Sequence, residues 1–204
     1  MPTLRVLSVD ARAFGRDRAA LAALINSAEP DAVCVHNGPH LGRWRNKTAA
    51  LARRAGRVVV ATGGRRSGAN TVLSTLALDS VATREARFGD AGGTRPPGAA
   101  LAALRAGGQD LLLVSATLIG NAAERLEQVR ELQAVIDGLV PGKSPGVVSA
   151  LGSDRPGTAA WLALAESRVA VAGRFFVDER IDVHEAREVG GTPTAPAVLA
   201  VLSI

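Results

Sequence analysis

The spacing of apolar and polar positions divides the chain into short strands and a few helices. Leu4–Val9 reads as a buried strand, and Asp17–Ala28 carries Leu21, Leu24 and Ile25 on one helical stripe. Pro30-Asp31 closes that helix, Ala32–Val35 gives a second strand, and Trp44–Ala55 a second helix with Leu51 inward and Arg53 and Arg54 outward. Arg57–Ala61 is a third strand, running into the glycine-rich turn Gly63–Gly68. Thr71–Leu78 and Val81–Phe88 read as paired strands joined near Asp79-Ser80, followed by a Gly/Pro-rich loop over Asp90–Gly98. Ala99–Arg105 and Asp110–Ser115 form a hairpin signal around Gly107-Gly108. The clearest helix is Asn121–Leu139: Asn121 is placed to cap it, Glu124 completes a capping box, and Leu126, Val129, Leu132, Ile136 and Leu139 form the buried stripe. Gly146–Ala150 is a strand and Thr158–Glu166 a short helix with Trp161 and Leu164 inward. Arg174–Val177, Arg180–His184 and Ala197–Ile204 are the final strands. Strict βαβ alternation is absent, so the pattern predicts an α/β chain built as a two-layer β-sandwich flanked by helices.

Composition narrows this picture. With 204 residues, 47% of them hydrophobic, the chain can bury one substantial core, and a single domain over residues 1–204 is expected. Two Trp, four Phe and no Tyr leave core volume to Leu, Val, Ile and Ala. The lone Cys34 lies in an apolar run, which excludes an intrachain disulfide and favours a buried, inert thiol. No apolar segment is long enough to span a membrane, and a cytoplasmic location is the default expectation. The net charge of +5, carried almost wholly by arginine, makes the protein basic and admits nucleic acid or a phosphorylated ligand as partner, without naming one.

Seven segments, Leu4–Asp10, Pro30–Asn37, Gly68-Ala69-Asn70, Val114–Leu118, Pro145–Pro156, Arg180-Ile181-Asp182 and Thr192–Pro196, are together similar to the endonuclease/exonuclease/phosphatase family of metal-dependent phosphohydrolases, the DNase I-like fold. Leu4–Asp10 resembles the family's opening strand, with Asp10 where Asn is usual. Pro30–Asn37 resembles the second motif, with Asn37 in place of the metal-binding Glu. Gly68-Ala69-Asn70 resembles the third, and Asn70 matches it. Val114–Leu118 resembles the Thr-His-Leu strand, with Thr117 for the His. Pro145–Pro156 aligns on the Gly-Asp-x-Asn motif, with Leu151 for the Asp and Ser153 for the Asn. Arg180-Ile181-Asp182 resembles the Arg-Ile-Asp strand, retaining Asp182. Thr192–Pro196 lies where Ser-Asp-His is usual, with Thr194 for the His.

The resemblance implies the family's fold and, through these replacements, a degenerate cleft of Asp10, Asn37, Asn70, Thr117, Leu151, Ser153, Asp182 and Thr194. Leu151 can neither take a proton nor orient water, and threonines in place of both imidazoles cannot act as general acids near neutral pH. The expectation is a catalytically inactive binding or interaction module with no resident cofactor. The alternative is a residual Mg²⁺-dependent phosphodiester or phosphomonoester hydrolase using Asp10, Asn37 and Asp182. In that reading Asp10 and Asn37 are an exchanged carboxylate–amide pair holding Mg²⁺ or Mn²⁺ weakly. Arg65 and Arg66 in the glycine-rich turn are candidates for holding phosphate.

Overall fold

The computed structural model describes residues 2–15, 17–75, 78–89, 96–139, 144–152, 156–166, 168–192 and 195–204. Its elements run β1 (Thr3–Asp10), α1 (Arg18–Ala28), β2 (Ala32–His36), α2 (Trp44–Arg54), β3 (Val58–Thr62), β4 (Thr71–Ser74), β5 (Asp79–Arg87), β6 (Gly98–Ala106) and β7 (Gln109–Thr117). They continue α3 (Ala122–Leu139), β8 (Gly146–Leu151), α4 (Ala159–Ala165), β9 (Arg168–Val171), β10 (Phe175–Asp178), β11 (Asp182–Thr192) and β12 (Ala195–Ser203). Short 3-10 turns cover Ala11–Phe14 and Gly64–Ser67.

The strands form two mixed six-stranded sheets, ordered β11-β12-β1-β2-β4-β3 and β5-β6-β7-β8-β10-β9. One parallel pair sits at the heart of each, β1 with β2 and β7 with β8. The sheets pack face to face over Val6, Cys34, Leu104, Leu113, Val147 and Phe175. Helices α1 and α2 cover the outer face of the first sheet through Leu21, Ile25 and Leu51. Helices α3 and α4 cover the second through Val129, Leu132 and Leu164, with Trp161 set edge-on to Phe176 at 6.0 Å between ring centres. The layers are therefore helix, sheet, sheet, helix.

Local sequence explains the punctuation. Asp17 caps α1 by accepting from Ala20 N–H at 2.9 Å. Asn121 Oδ1 accepts from the N–H groups of Ala123 and Glu124, while Glu124 accepts from Asn121 N–H at 2.7 Å, the capping box expected there. Gly107 and Gly108, at φ of 56° and 84°, make the tight turn of the β6–β7 hairpin.

Two assignments change. Thr71–Leu78 and Val81–Phe88 do not pair: β4 is buried along its whole length between β2 and β3, whereas β5 is the exposed edge of the other sheet beside β6. A fully buried strand needs neighbours on both sides, and an adjacent edge strand in the other sheet cannot supply one. Arg168–Val171, not foreseen as a strand, forms edge strand β9. Among the described residues, no helix is long and apolar enough to cross a membrane.

Candidate functional site

Strand alternation sends every second residue into the space between the sheets, and these inward rows change character along their length. On β1 the row runs Leu4, Val6, Ser8, Asp10; on β2 Ala32, Cys34, His36; on β7 Leu111, Leu113, Ser115, Thr117; on β8 Val147, Ser149, Leu151. One end of the layer is apolar and the other polar. The polar residues gather at the carboxyl ends of both parallel pairs.

Asn70 and His36 sit at the centre of that end, both fully buried. Asn70 Nδ2 donates to the carbonyls of Ser67 at 2.8 Å and Gly98 at 2.9 Å. This reach is possible because Gly68 and Gly98 pack backbone to backbone: a Cβ on Gly98 would lie 2.6 Å from Gly68 N. With its amide nitrogen so fixed, Oδ1 faces the layer and accepts from Thr117 Oγ1 at 2.9 Å. The same oxygen lies 3.0 Å from His36 Nδ1, which must therefore carry the proton. His36 Nε2 is left to accept, with Ser149 Oγ at 2.8 Å and Ser8 Oγ at 3.3 Å. Burial and the nearby charge of Arg174, itself only 7% exposed, push the imidazole down to about 4, so it is neutral at pH 7. Burial pushes the Cys34 thiol up, which leaves it inert.

Asp10 ends β1 beside His36 and is 1% exposed. Arg12 grips both its oxygens: Nη2 to Oδ2 at 2.7 Å, Nε to Oδ2 at 3.0 Å and to Oδ1 at 3.2 Å. Arg12 N–H and Asn37 Nδ2 also donate to Oδ1, at 2.9 Å and 3.1 Å. Burial pulls this carboxyl up, but the Arg12 bonds and charge and the Asn37 amide outweigh it and hold it below the usual carboxylate range.

These contacts decide whether the divalent cation implied by the resemblance fits. Both oxygens of Asp10 are committed to an internal cation, Oδ1 also accepts from the Asn37 amide, the Asn37 oxygen is a neutral and weak ligand, and no group of three His, Cys, Asp or Glu side chains that could hold a metal ion occurs among the described residues. The residues present do not fit Mg²⁺ or Mn²⁺, and Asp10 with Asn37 is an arginine-bound pair rather than an open ligand set.

Of the residues expected in the cleft, the structure brings together Asp10, Asn37, Asn70 and Thr117, with half-buried Leu151 paired to Thr117 at the end of β8. Asp182 is not with them. It pairs with Ser203, which pairs with Thr3, so it stands at the far end of β1. The seven residue steps from Thr3 to Asp10, at about 3.3 Å each, put roughly 23 Å of strand between the two carboxylates. The strand beside β8 is β10, where Phe175 and Phe176 bury both faces; Arg180-Ile181-Asp182 leaves that sheet for the other. Ser153 and Thr194 lie outside the described residues. Arg65 and Arg66 are exposed on the 3-10 turn after β3. Sequence reasoning missed Arg12, Ser8, Ser115 and Ser149, although the switch from apolar to polar along each inward row marks the three serines.

Two open cavities flank this closed floor. One, of about 490 Å³, lies between the first 3-10 turn, α1, α2 and the loop after β2, and Arg12 and Asn37 form part of its wall. The other, of about 670 Å³, is lined by Trp44, Arg45, Thr48, Arg65, Arg66 and Glu85, with the Arg45 guanidinium 4.7 Å above the Trp44 ring.

No protein-family model and no curated protein matches the chain in sequence. In structure it shares the fold of endonuclease/exonuclease/phosphatase proteins. An endonuclease/exonuclease/phosphatase from Bacteroides vulgatus superposes with a TM-score of 0.78 at 11% identity, over 100% of both chains. The catalytic domain of human Nocturnin, solved with a bound sulfate anion, gives 0.77 at 15% identity over 99% of this chain and 93% of that one. A mannosyl-6-phosphatase from Bacteroides thetaiotaomicron gives 0.77 at 12% identity over 98% and 100%.

Proposed function

We propose that this chain is a non-catalytic binding module on the endonuclease/exonuclease/phosphatase fold. The observation that carries the reading is the Asp10–Arg12 pair: the buried carboxylate at the end of β1 is neutralised from within, by a fork bound to both oxygens. Phosphoester hydrolysis needs an electrophile at the phosphoryl oxygens, a base for water and a donor to the leaving group. The described cleft offers Leu151 at one of these positions and Thr117 at another, and its only imidazole, His36, is fully buried with both ring nitrogens engaged. Losing one such group commonly costs on the order of 10²–10⁴ in rate, and here several are lost together. The alternative hydrolase built on Asp10, Asn37 and Asp182 is disfavoured by the strand length that separates Asp182 from the other two.

The ligand class this reading favours is anionic and phosphate-like, because Arg12, Arg18 and Lys47 in one cavity and Arg45, Arg65 and Arg66 in the other offer cations at open surfaces. Hydrolysis of a generic phosphodiester and of plasmid DNA with Mg²⁺ or Mn²⁺, for wild type and Asp10→Ala, tests the reading. Equal, background-level turnover is expected; metal-dependent turnover that Asp10→Ala abolishes overturns it.

A further inference from the structure

We infer that the cavity beside α1 is a binding site for a small amphipathic anion, a single phosphate, sulfonate or carboxylate on an apolar body. This rests on the non-catalytic reading, since it treats Arg12 as a permanent part of the wall. The floor of the cavity is apolar: Leu21 and Leu51 are each 2% exposed there, and Phe14 forms part of the side. Leu41 stands at the rim with 57% of its surface exposed, an uncovered leucine next to an apolar hollow.

Charged residues line the same hollow, from the first 3-10 turn, α1 and α2. Arg12 gives Nε and Nη2 to Asp10, but its Nη1 has no partner among the described residues, and the side chain keeps 46% exposure. Arg18 and Lys47 line the same cavity. The opposing carboxylate, Asp17, already spends Oδ1 on the N-terminus of α1. Arg12, Arg18 and Lys47 face two carboxylates, Asp17 and the Asp10 that Arg12 already neutralises, which leaves the wall with a net charge of +1 and favours a singly charged negative head group. Asp10 fixes the Arg12 fork in place beforehand, so an anion meets a donor that is already oriented. Lys47 Nζ donates to Leu41 O at 3.2 Å, which sets a cation beside the apolar rim. A volume of about 490 Å³ suits a ligand of small-molecule size. A bare phosphate leaves the leucine-lined part wet, and a neutral hydrocarbon leaves the cations unused, so both halves of the ligand are required.

Titration calorimetry with octyl phosphate below its micellar concentration, inorganic phosphate and octanol tests the site. Octyl phosphate is expected to bind saturably, at least about tenfold more tightly than either half alone. Lys47→Gln and the rim variant Leu41→Glu, both on exposed or half-exposed positions, are expected to weaken it by about tenfold, while Arg65→Gln in the other cavity leaves it unchanged. Absence of saturable binding, equal binding of inorganic phosphate, or variants that bind like wild type overturns the site. Release of inorganic phosphate from octyl phosphate is a separate outcome: it overturns the non-catalytic reading and leaves the cavity as a binding site.

Discussion

The polar end of the inter-sheet layer and the cavity beside α1 meet at Asn37, yet they handle polar groups in opposite ways. In the layer, Asn70, His36, Thr117 and the three serines satisfy one another, and Asp10 is closed off by Arg12. In the cavity, Arg12, Arg18 and Lys47 stand over an apolar floor. The first arrangement behaves as core: it joins the two sheets and defines their register. The second has the mixture expected of a site awaiting a ligand. On the non-catalytic reading proposed above, the place to look for function is the flank of the cleft and not its floor.

The largest effect that separates the two regions is expected from Asn70→Ala. It removes the side-chain donor to Gly98 O and the acceptor of the Thr117 hydroxyl and of His36 Nδ1 in a buried space, while Ser67 O keeps the backbone N–H of residue 70. Urea denaturation should show a loss of about 3–5 kcal/mol, or failure to fold. A loss within 0.5 kcal/mol, roughly the size of a surface change, breaks the view of this end as core.

Acidification gives the next effect. The folded-state value of His36 lies below its ordinary 6.5, so the folded protein binds fewer protons than the unfolded chain as pH falls. Its contribution is complete above about pH 6.5 and is lost between there and about pH 4. Stability should fall by about 2 kcal/mol between pH 7.5 and pH 5, and His36→Gln should flatten that part of the profile. Asp10 acts lower. Its folded value is depressed, so its contribution is complete above the ordinary carboxylate range and lost only as pH drops through the folded value. Asp10→Asn, which keeps one acceptor for Arg12 but turns the other into an N–H donor and removes the charge, should cost about 1–2 kcal/mol.

The smallest stability effects belong to the flank. Lys47→Gln and Leu41→Glu should leave the unfolding free energy within about 0.5 kcal/mol of wild type while weakening octyl phosphate binding. Equal losses of stability and binding would erase the distinction between the regions.

Much of the fold is legible in the sequence, because alternating and striped apolar positions, the Asn121 capping box and the Gly107-Gly108 turn are local signals. What failed was long-range. Nothing local separates a β4–β5 hairpin from two strands in different sheets; the deciding contacts are those of β4 with β2 and β3. Asp182 was read from three residues, and the burial of Phe175 and Phe176 placed a different strand beside β8. At the site, the replacements at Asn37, Thr117 and Leu151 are visible as replacements. Their consequence is not visible, because it depends on Arg12 folding back two residues onto Asp10 and on His36 sharing an inward row with Cys34. The spacing Asp10-x-Arg12 after a strand end is the one sequence signal by which the first could be found.

The most direct test of the closed floor is a Mn²⁺ titration followed by electron paramagnetic resonance of the free ion, on wild type and Asp10→Ala. The account predicts that the free signal rises in proportion to added Mn²⁺, with no saturable class that distinguishes the two proteins. A stoichiometric bound class in wild type that disappears in Asp10→Ala would contradict it, because Asp10 would then be a metal ligand rather than the partner of Arg12.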